Sequence, residues 1–380
     1  MTAPERKRTV RLEKPNMYRV QIRIPLVTGD PFASLDMLNI CQYTLRSYAN
    51  APCYGFKGPL VTSIEIDLAD KTVAADPRKA WTDVATALRQ RTPTAALGTY
   101  ISGAHLRTLG MMTKYPPECI DTTKLDRSAT LSQLSPEGDP YVNLDSQTAR
   151  IAFANAISSE FKSRQQLAGG LGLNFLFLDN IQHPVAKAPY CPQWPNTLDF
   201  LTTLGRQIHN LGAKVVVNST LSPWYAAAAD IPALASAVDG LTFEIPLHPV
   251  WCRPYLDRVN REFSAYRTWL NAGMMIGLYA VRGAGQTDQD VANEQRFLAA
   301  VAMLVRDPGQ AILIARPFHI PRPEWFDWPA RFGAPQGPYT VVPGTPVVLK
   351  RVFANGEITV NATAASNVAT SGSAVLATFH

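Results

Sequence analysis

The sequence predicts an α/β chain: a closed (β/α)8 barrel over residues 1–316 and a small β-rich appendage over residues 317–380. Three observations carry this expectation. Leu173-Asn174-Phe175-Leu176-Phe177-Leu178 puts five apolar residues in six positions, the pattern of a strand buried on both faces of a parallel sheet. Eight strand-like runs recur before residue 317, with a helical or long connection between neighbours, which implies right-handed crossovers and a parallel sheet. No G-x-G-x-x-G follows the first run, so a doubly wound open sheet ranks second.

Taken in order, residues 18–24 alternate polar and apolar side chains and read as the first strand. Leu35, Leu38, Ile40 and Leu45, opened by Asp30-Pro31, predict a helix over 32–48. Residues 60–67 form a second strand ending in Asp67. Asp76-Pro77 opens a helix through 91 with Trp81, Val84, Ala85 and Leu88 on one face. A third strand covers 97–102, followed by Gly103 and His105. Residues 106–139 show little periodicity, and a connection of that length in a compact domain is commonly functional. A helix over 146–164 then leads to the strand at 173–178. Helix and strand alternate from there: helix 197–211, strand 213–218, helix 226–238, strand 240–244, helix 257–271, strand 274–279, helix 290–306 and strand 311–316. Beyond residue 316 the chain turns rich in proline and aromatics. Ala354-Asn355-Gly356 reads as a hairpin turn between short strands, and the Ser/Thr/Ala-rich end reads as frayed.

Composition narrows the function. The net charge is +6, but the densest basic cluster (Arg6-Lys7-Arg8, Arg11, Lys14) lies in an N-terminal tail with no interleaved aromatics, so nucleic acid is not an expected partner. No run approaches eighteen apolar residues, so no membrane span is expected, and residues 1–14 lack the apolar core of a secretory leader. Cys41, Cys53, Cys119, Cys191 and Cys252 are widely spaced without a C-x-x-C pair. Cys41 and Cys53 read either as one disulfide or as free thiols, and no metal or cofactor is expected.

Two acids stand out. Asp179 ends the fourth strand and Glu244 the sixth. In a barrel, strand ends of one polarity share a rim, which places both acids at one cleft. Each reads either as a catalyst or as a cap of the turn that follows. Paired carboxylates are the minimal apparatus for cleaving a glycosidic bond, one ionised and the other protonated. Phe243, Pro246 and Leu247 give Glu244 an apolar setting that favours the protonated form, and Asn180 is positioned to donate to Asp179. Glu244 is therefore the expected acid/base and Asp179 the expected nucleophile.

Other residues at the same rim are candidates for binding a carbohydrate substrate. Asp145 reads either as a ligand for sugar hydroxyls or as the N-cap of the next helix, and Asp67 has the same two readings. His105, His183 and His248 sit just past strand ends. Trp251 and Tyr279 offer faces for stacking on sugar rings. Asn218 and Arg316 end their strands as hydrogen-bond donors. A carbohydrate-binding barrel without catalysis is the alternative. A metal-dependent hydrolase using Asp67, His105 and Asp179 ranks low, because no H-x-H or H-E-x-x-H spacing occurs.

Phe175-Leu176-Phe177-Leu178-Asp179-Asn180 resembles the G-x-F-L-D-N strand end of TIM-barrel glycoside hydrolases, namely the endo-α-1,4-polygalactosaminidase-like group and related hypothetical glycosyl hydrolases. Tyr100-Ile101-Ser102, residues 141–145, and Asp239 to Glu244 are similar to other motifs of that group. Arg351, Phe353, Asn355, Gly356 and Asn361 fit its R-x-F-x-N-G-x-x-x-x-N ending. The resemblance implies a (β/α)8 fold with acids after strands four and six, at Asp179 and Glu244.

Overall fold

The computed structural model describes residues 36–39, 61–64, 79, 82–83, 85–86, 90, 96–103, 130–134, 140–167, 173–181, 194–219, 230–244, 255–279, 287–308, 310, 312–316, 325, 328–343, 348–361 and 375–379. Eight of its strands form one parallel sheet. In chain order these are β1 (Asp36–Asn39), β2 (Val61–Ile64), β3 (Ala96–Ser102), β6 (Phe175–Ile181), β7 (Lys214–Ser219), β8 (Gly240–Glu244), β9 (Met275–Tyr279) and β10 (Ile312–Arg316). Their spatial order is β1-β10-β9-β8-β7-β6-β3-β2, with every neighbouring pair parallel. Between β3 and β6, β4 (Thr130–Leu134), inside the stretch that lacked periodicity, pairs antiparallel with β5 (Pro140–Val142) just after it.

Helices α1 (Gln147–Leu167), α2 (Trp194–Asn210), α3 (Ile231–Ala237), α4 (Tyr255–Asn271) and α5 (Asp288–Val305) alternate with the later strands. Lys79, Thr82, Asp83, Ala85, Thr86 and Gln90 are also helical, as expected between β2 and β3. No helix among the described residues is long and apolar enough to cross a membrane.

The sheet is buried on both faces. Leu176, Leu178, Val215, Val217, Leu241, Ile276 and Leu278 pack with helical residues such as Phe153, Phe161, Leu204 and Ile208. Phe175, Phe177 and Val216, of the opposite parity, are also buried. Phe175 lies over Gly98 of β3, where an added Cβ would stand 2.3 Å from its ring, so only glycine admits that ring.

One expectation needs correction at the N-terminal side. The strand expected at 18–24 lies outside the described residues; among the described residues the first strand of the sheet is β1, inside the span read as a helix. Asp36–Asn39 pairs in register with Leu313–Arg316. Four residues have no decisive periodicity, and the open edge of β10 offers them a backbone ladder that a helix would forgo. At α5, the expected start at Asp290 is displaced to Thr287, the N-cap of a capping box. The Asp290 amide donates to Thr287 Oγ1 at 3.2 Å, and the Thr287 amide donates to Asp290 Oδ2 at 2.8 Å.

After β10, the short helix α6 (Trp328–Phe332) precedes an antiparallel sheet of β11 (Thr340–Val341), β12 (Val348–Phe353), β13 (Gly356–Asn361) and β14 (Val375–Phe379). The end of the chain, read as frayed, pairs with β13 from Val375 to Phe379. Leu349, Phe353, Ile358 and Val360 join the same core as α5. Phe332 stacks on Phe379 with centroids 4.2 Å apart. Arg351, on the buried face of β12, clamps the end of α5. Its Nη1 donates to the carbonyls of Met303 (3.2 Å), Leu304 (3.1 Å) and Arg306, its Nε to Gly337 O (2.8 Å), and its Nη2 to Asp307. A cation at the carbonyl end of a helix also meets the negative pole of its dipole. Burial pushes the Arg351 guanidinium below its ordinary value, while the hydrogen bond and charge of Asp307 resist that shift.

Candidate functional site

The described polar side chains that converge at the carboxyl ends of the sheet strands come from β3, β6, β7 and β8. Asp179 is half-buried near the end of β6. Tyr100 Oη donates to its Oδ2 at 2.6 Å, and Asn218 Nδ2 donates to its Oδ1 at 2.7 Å. Behind Asn218, the fully buried Thr242 puts its Oγ1 2.9 Å from Asn218 Oδ1. Strand parity explains the meeting. Tyr100 pairs with Phe177, whose ring stacks on it at 6.1 Å, and Asn218 pairs with Thr242. Alternate residues share a face, so Phe177 and Asp179 both lie toward Tyr100.

The backbone at Asp179 is irregular. Leu178 pairs with Val217 and Ile181 with Ser219, so β6 takes three steps where β7 takes two, the signature of a one-residue bulge. Ile181 therefore returns to the core beside Leu178, against Gly103 just after β3, whose amide donates to Asp179 O at 2.6 Å. A bulge gives the strand end a local bend that re-aims a side chain without moving the strand below it.

Both carboxylate oxygens of Asp179 accept from neutral donors. Such donors fix the plane of a carboxylate and complement its negative charge. The sequence pointed to Asn180 for this task; the described donors are Tyr100 and Asn218. Tyr100 was legible as a strand residue, but its side chain was not singled out. Its parity with Ser102, which pairs with Asp179, was the available signal.

No protein-family model matches the chain, and no curated protein matches it. Solved structures similar to it include glycoside hydrolases. One is a GH27 β-L-arabinopyranosidase from Geobacillus stearothermophilus, 14% identical over 73% of this chain and 63% of that one, with a TM-score of 0.43. Another is a debranching enzyme from Nostoc punctiforme, 12% identical over 75% of this chain and 68% of that one, with a TM-score of 0.36. The chain thus spans less than two thirds of the arabinopyranosidase's length.

The remaining candidates fall into three groups. Asp145 is exposed just before α1, and its Oδ1 accepts from Asn196 Nδ2 at 2.8 Å, in the first turn of α2. It is not the N-cap: Ser146 Oγ takes that place and accepts from the Ala149 amide at 3.3 Å. Arg150 binds the same corner, donating to Leu144 O and to Asp199 Oδ2, each at 2.8 Å. Glu244 is the last residue of β8 and pairs in register with Tyr279 of β9; Asn180 lies in β6, and Arg316 ends β10 beside Asn39 of β1. Asp67, His105, His183, His248, Trp251 and the five cysteines lie outside the described residues. Among the described residues, no three His, Cys, Asp or Glu side chains form a metal-holding group.

Proposed function

We propose that the protein is a glycoside hydrolase acting on a polysaccharide or oligosaccharide, with Asp179 as nucleophile and Glu244 as acid/base. The observation that carries this reading is the Asp179 carboxylate, held by Tyr100 and Asn218 at the carboxyl end of a central parallel strand. Chemistry concentrates at that end of parallel sheets. In this reading, β1 closes on β2 to complete a (β/α)8 barrel over residues 1–316, and residues 317–380 form its appendage. Glu244 is the last residue of β8, two positions beyond Thr242, and so shares its strand parity.

Asp179 attacks the anomeric carbon while Glu244 gives its proton to the departing glycosidic oxygen. Glu244 then takes a proton from water, which displaces the sugar from Asp179, so configuration is retained. The other rim candidates, Asp145, Asp67, His105, Asn180, His183, His248, Trp251, Tyr279 and Arg316, bind sugar hydroxyls and ring faces.

A screen against diverse polysaccharides with detection of new reducing ends tests the proposal. Turnover by the wild type and its loss in Asp179→Asn support it. Sugar binding without turnover in the wild type replaces it with a carbohydrate-binding barrel.

A further inference from the structure

We infer that Thr242 is a positioning residue: it gives its hydroxyl proton to Asn218 and thereby locks the carboxamide with its NH2 facing Asp179. The inference rests on Asp179 being the working carboxylate of the proposed site, but its hydrogen-bond logic stands on its own. A carboxylate only accepts, so the Asn218 atom 2.7 Å from Asp179 Oδ1 must be the nitrogen. The oxygen of the same amide then faces Thr242 Oγ1 at 2.9 Å, and a carbonyl-type oxygen likewise only accepts. The threonine must therefore donate.

Thr242 has one proton and two acceptors within reach, Asn218 Oδ1 at 2.9 Å and Val217 O at 3.4 Å. The shorter contact takes the proton. Thr242 is fully buried and Asn218 nearly so, which makes an unmatched polar atom there expensive. A flipped amide would set its oxygen against the carboxylate. It would also set its NH2 against a hydroxyl whose proton then turns to Val217 O. The relay Thr242 to Asn218 to Asp179 excludes that state. It also crosses three adjacent strands, β8, β7 and β6, so that the register of the sheet itself sets the carboxylate.

The test uses the intact protein and two readouts that need no sugar. In Thr242→Val, which keeps the shape and removes the donor, the Asn218 side-chain amide protons, assigned by their loss in Asn218→Ala, should exchange with solvent at least about tenfold faster than in the wild type. Thr242→Ser should restore slow exchange. Unchanged exchange in Thr242→Val overturns the inference. Should that variant fail to fold, neutron diffraction on the wild type decides. Deuterium on Thr242 Oγ1 directed at Asn218 Oδ1 supports the relay, and deuterium directed at Val217 O refutes it. Slow exchange that depends on Thr242 in a protein without glycosidase activity leaves the relay standing and removes the functional reading alone.

Discussion

Replacing Arg351 with methionine should destabilise the protein by about 3 kcal/mol, a large share of the ~5–15 kcal/mol that holds a typical domain together. The side chain donates to five acceptors: the carbonyls of Met303, Leu304, Arg306 and Gly337, and the Asp307 carboxylate. Each acceptor left dry costs roughly 1–3 kcal/mol, while water can reach those near the surface, such as the 37% exposed Asp307. Methionine fills much of the volume and escapes the desolvation that depresses the guanidinium. Those gains hold the net loss near that of a broken buried ion pair, about 3–5 kcal/mol, at its lower edge. Urea denaturation followed by far-UV circular dichroism measures it. Arg351→Lys should lose about half as much, since one ammonium cannot span the helix end and Asp307 together. A methionine variant within about 0.5 kcal/mol of the wild type, the range of an ordinary surface change, would refute the clamp.

Three further outcomes are expected. Tyr100→Phe should lower glycoside turnover about 10–100-fold with the fold retained, since one donor to a charged acceptor is worth ~1.5–3 kcal/mol; steady-state kinetics on a substrate found in the screen checks it. Gly205→Ala should destabilise by about 1–3 kcal/mol, because an added Cβ would stand 2.1 Å from Ala237 O where α2 crosses α3; thermal unfolding reads this. Burial pushes the Glu160 carboxyl above its ordinary 4.5, against the pull of the Arg164 charge and hydrogen bond. The folded state then binds the proton more tightly than the unfolded chain, so stability present below pH 4.5 declines as pH rises through the folded value. Glu160→Gln should flatten that decline in denaturation curves taken across a pH series.

The strands from β6 to β10 were legible because each is a run of apolar residues dense enough to be buried on both faces. β1 was not, since Asp36-Met37-Leu38-Asn39 owes its conformation to the edge of β10 rather than to its own residues. Asp179 and Asn218 were legible as polar residues closing apolar runs. Their contact was not, because it depends on the register between strands that brings together residues 39 apart in sequence. Thr242 sits inside a run and reads there as an ordinary β-branched strand residue; only its pairing opposite Asn218 gives its hydroxyl a task. Arg351 was visible as part of a motif, yet four of its five acceptors lie more than forty residues upstream.

The bulge in β6 acts as a phase shift in the chain's side-chain code. Up to Leu178, odd and even positions are committed to opposite layers by the packing on both sides. One surplus residue resets that count, so Ile181 falls into the layer of Leu178 although it is three positions on. Deleting one residue between them would remove the bulge and set Ile181 two positions after Leu178, where ordinary alternation keeps it in the same layer; what would be lost is the bend that aims Asp179. The surplus residue thus serves the polar tip rather than the core, and a graft of this site onto another parallel sheet must carry it.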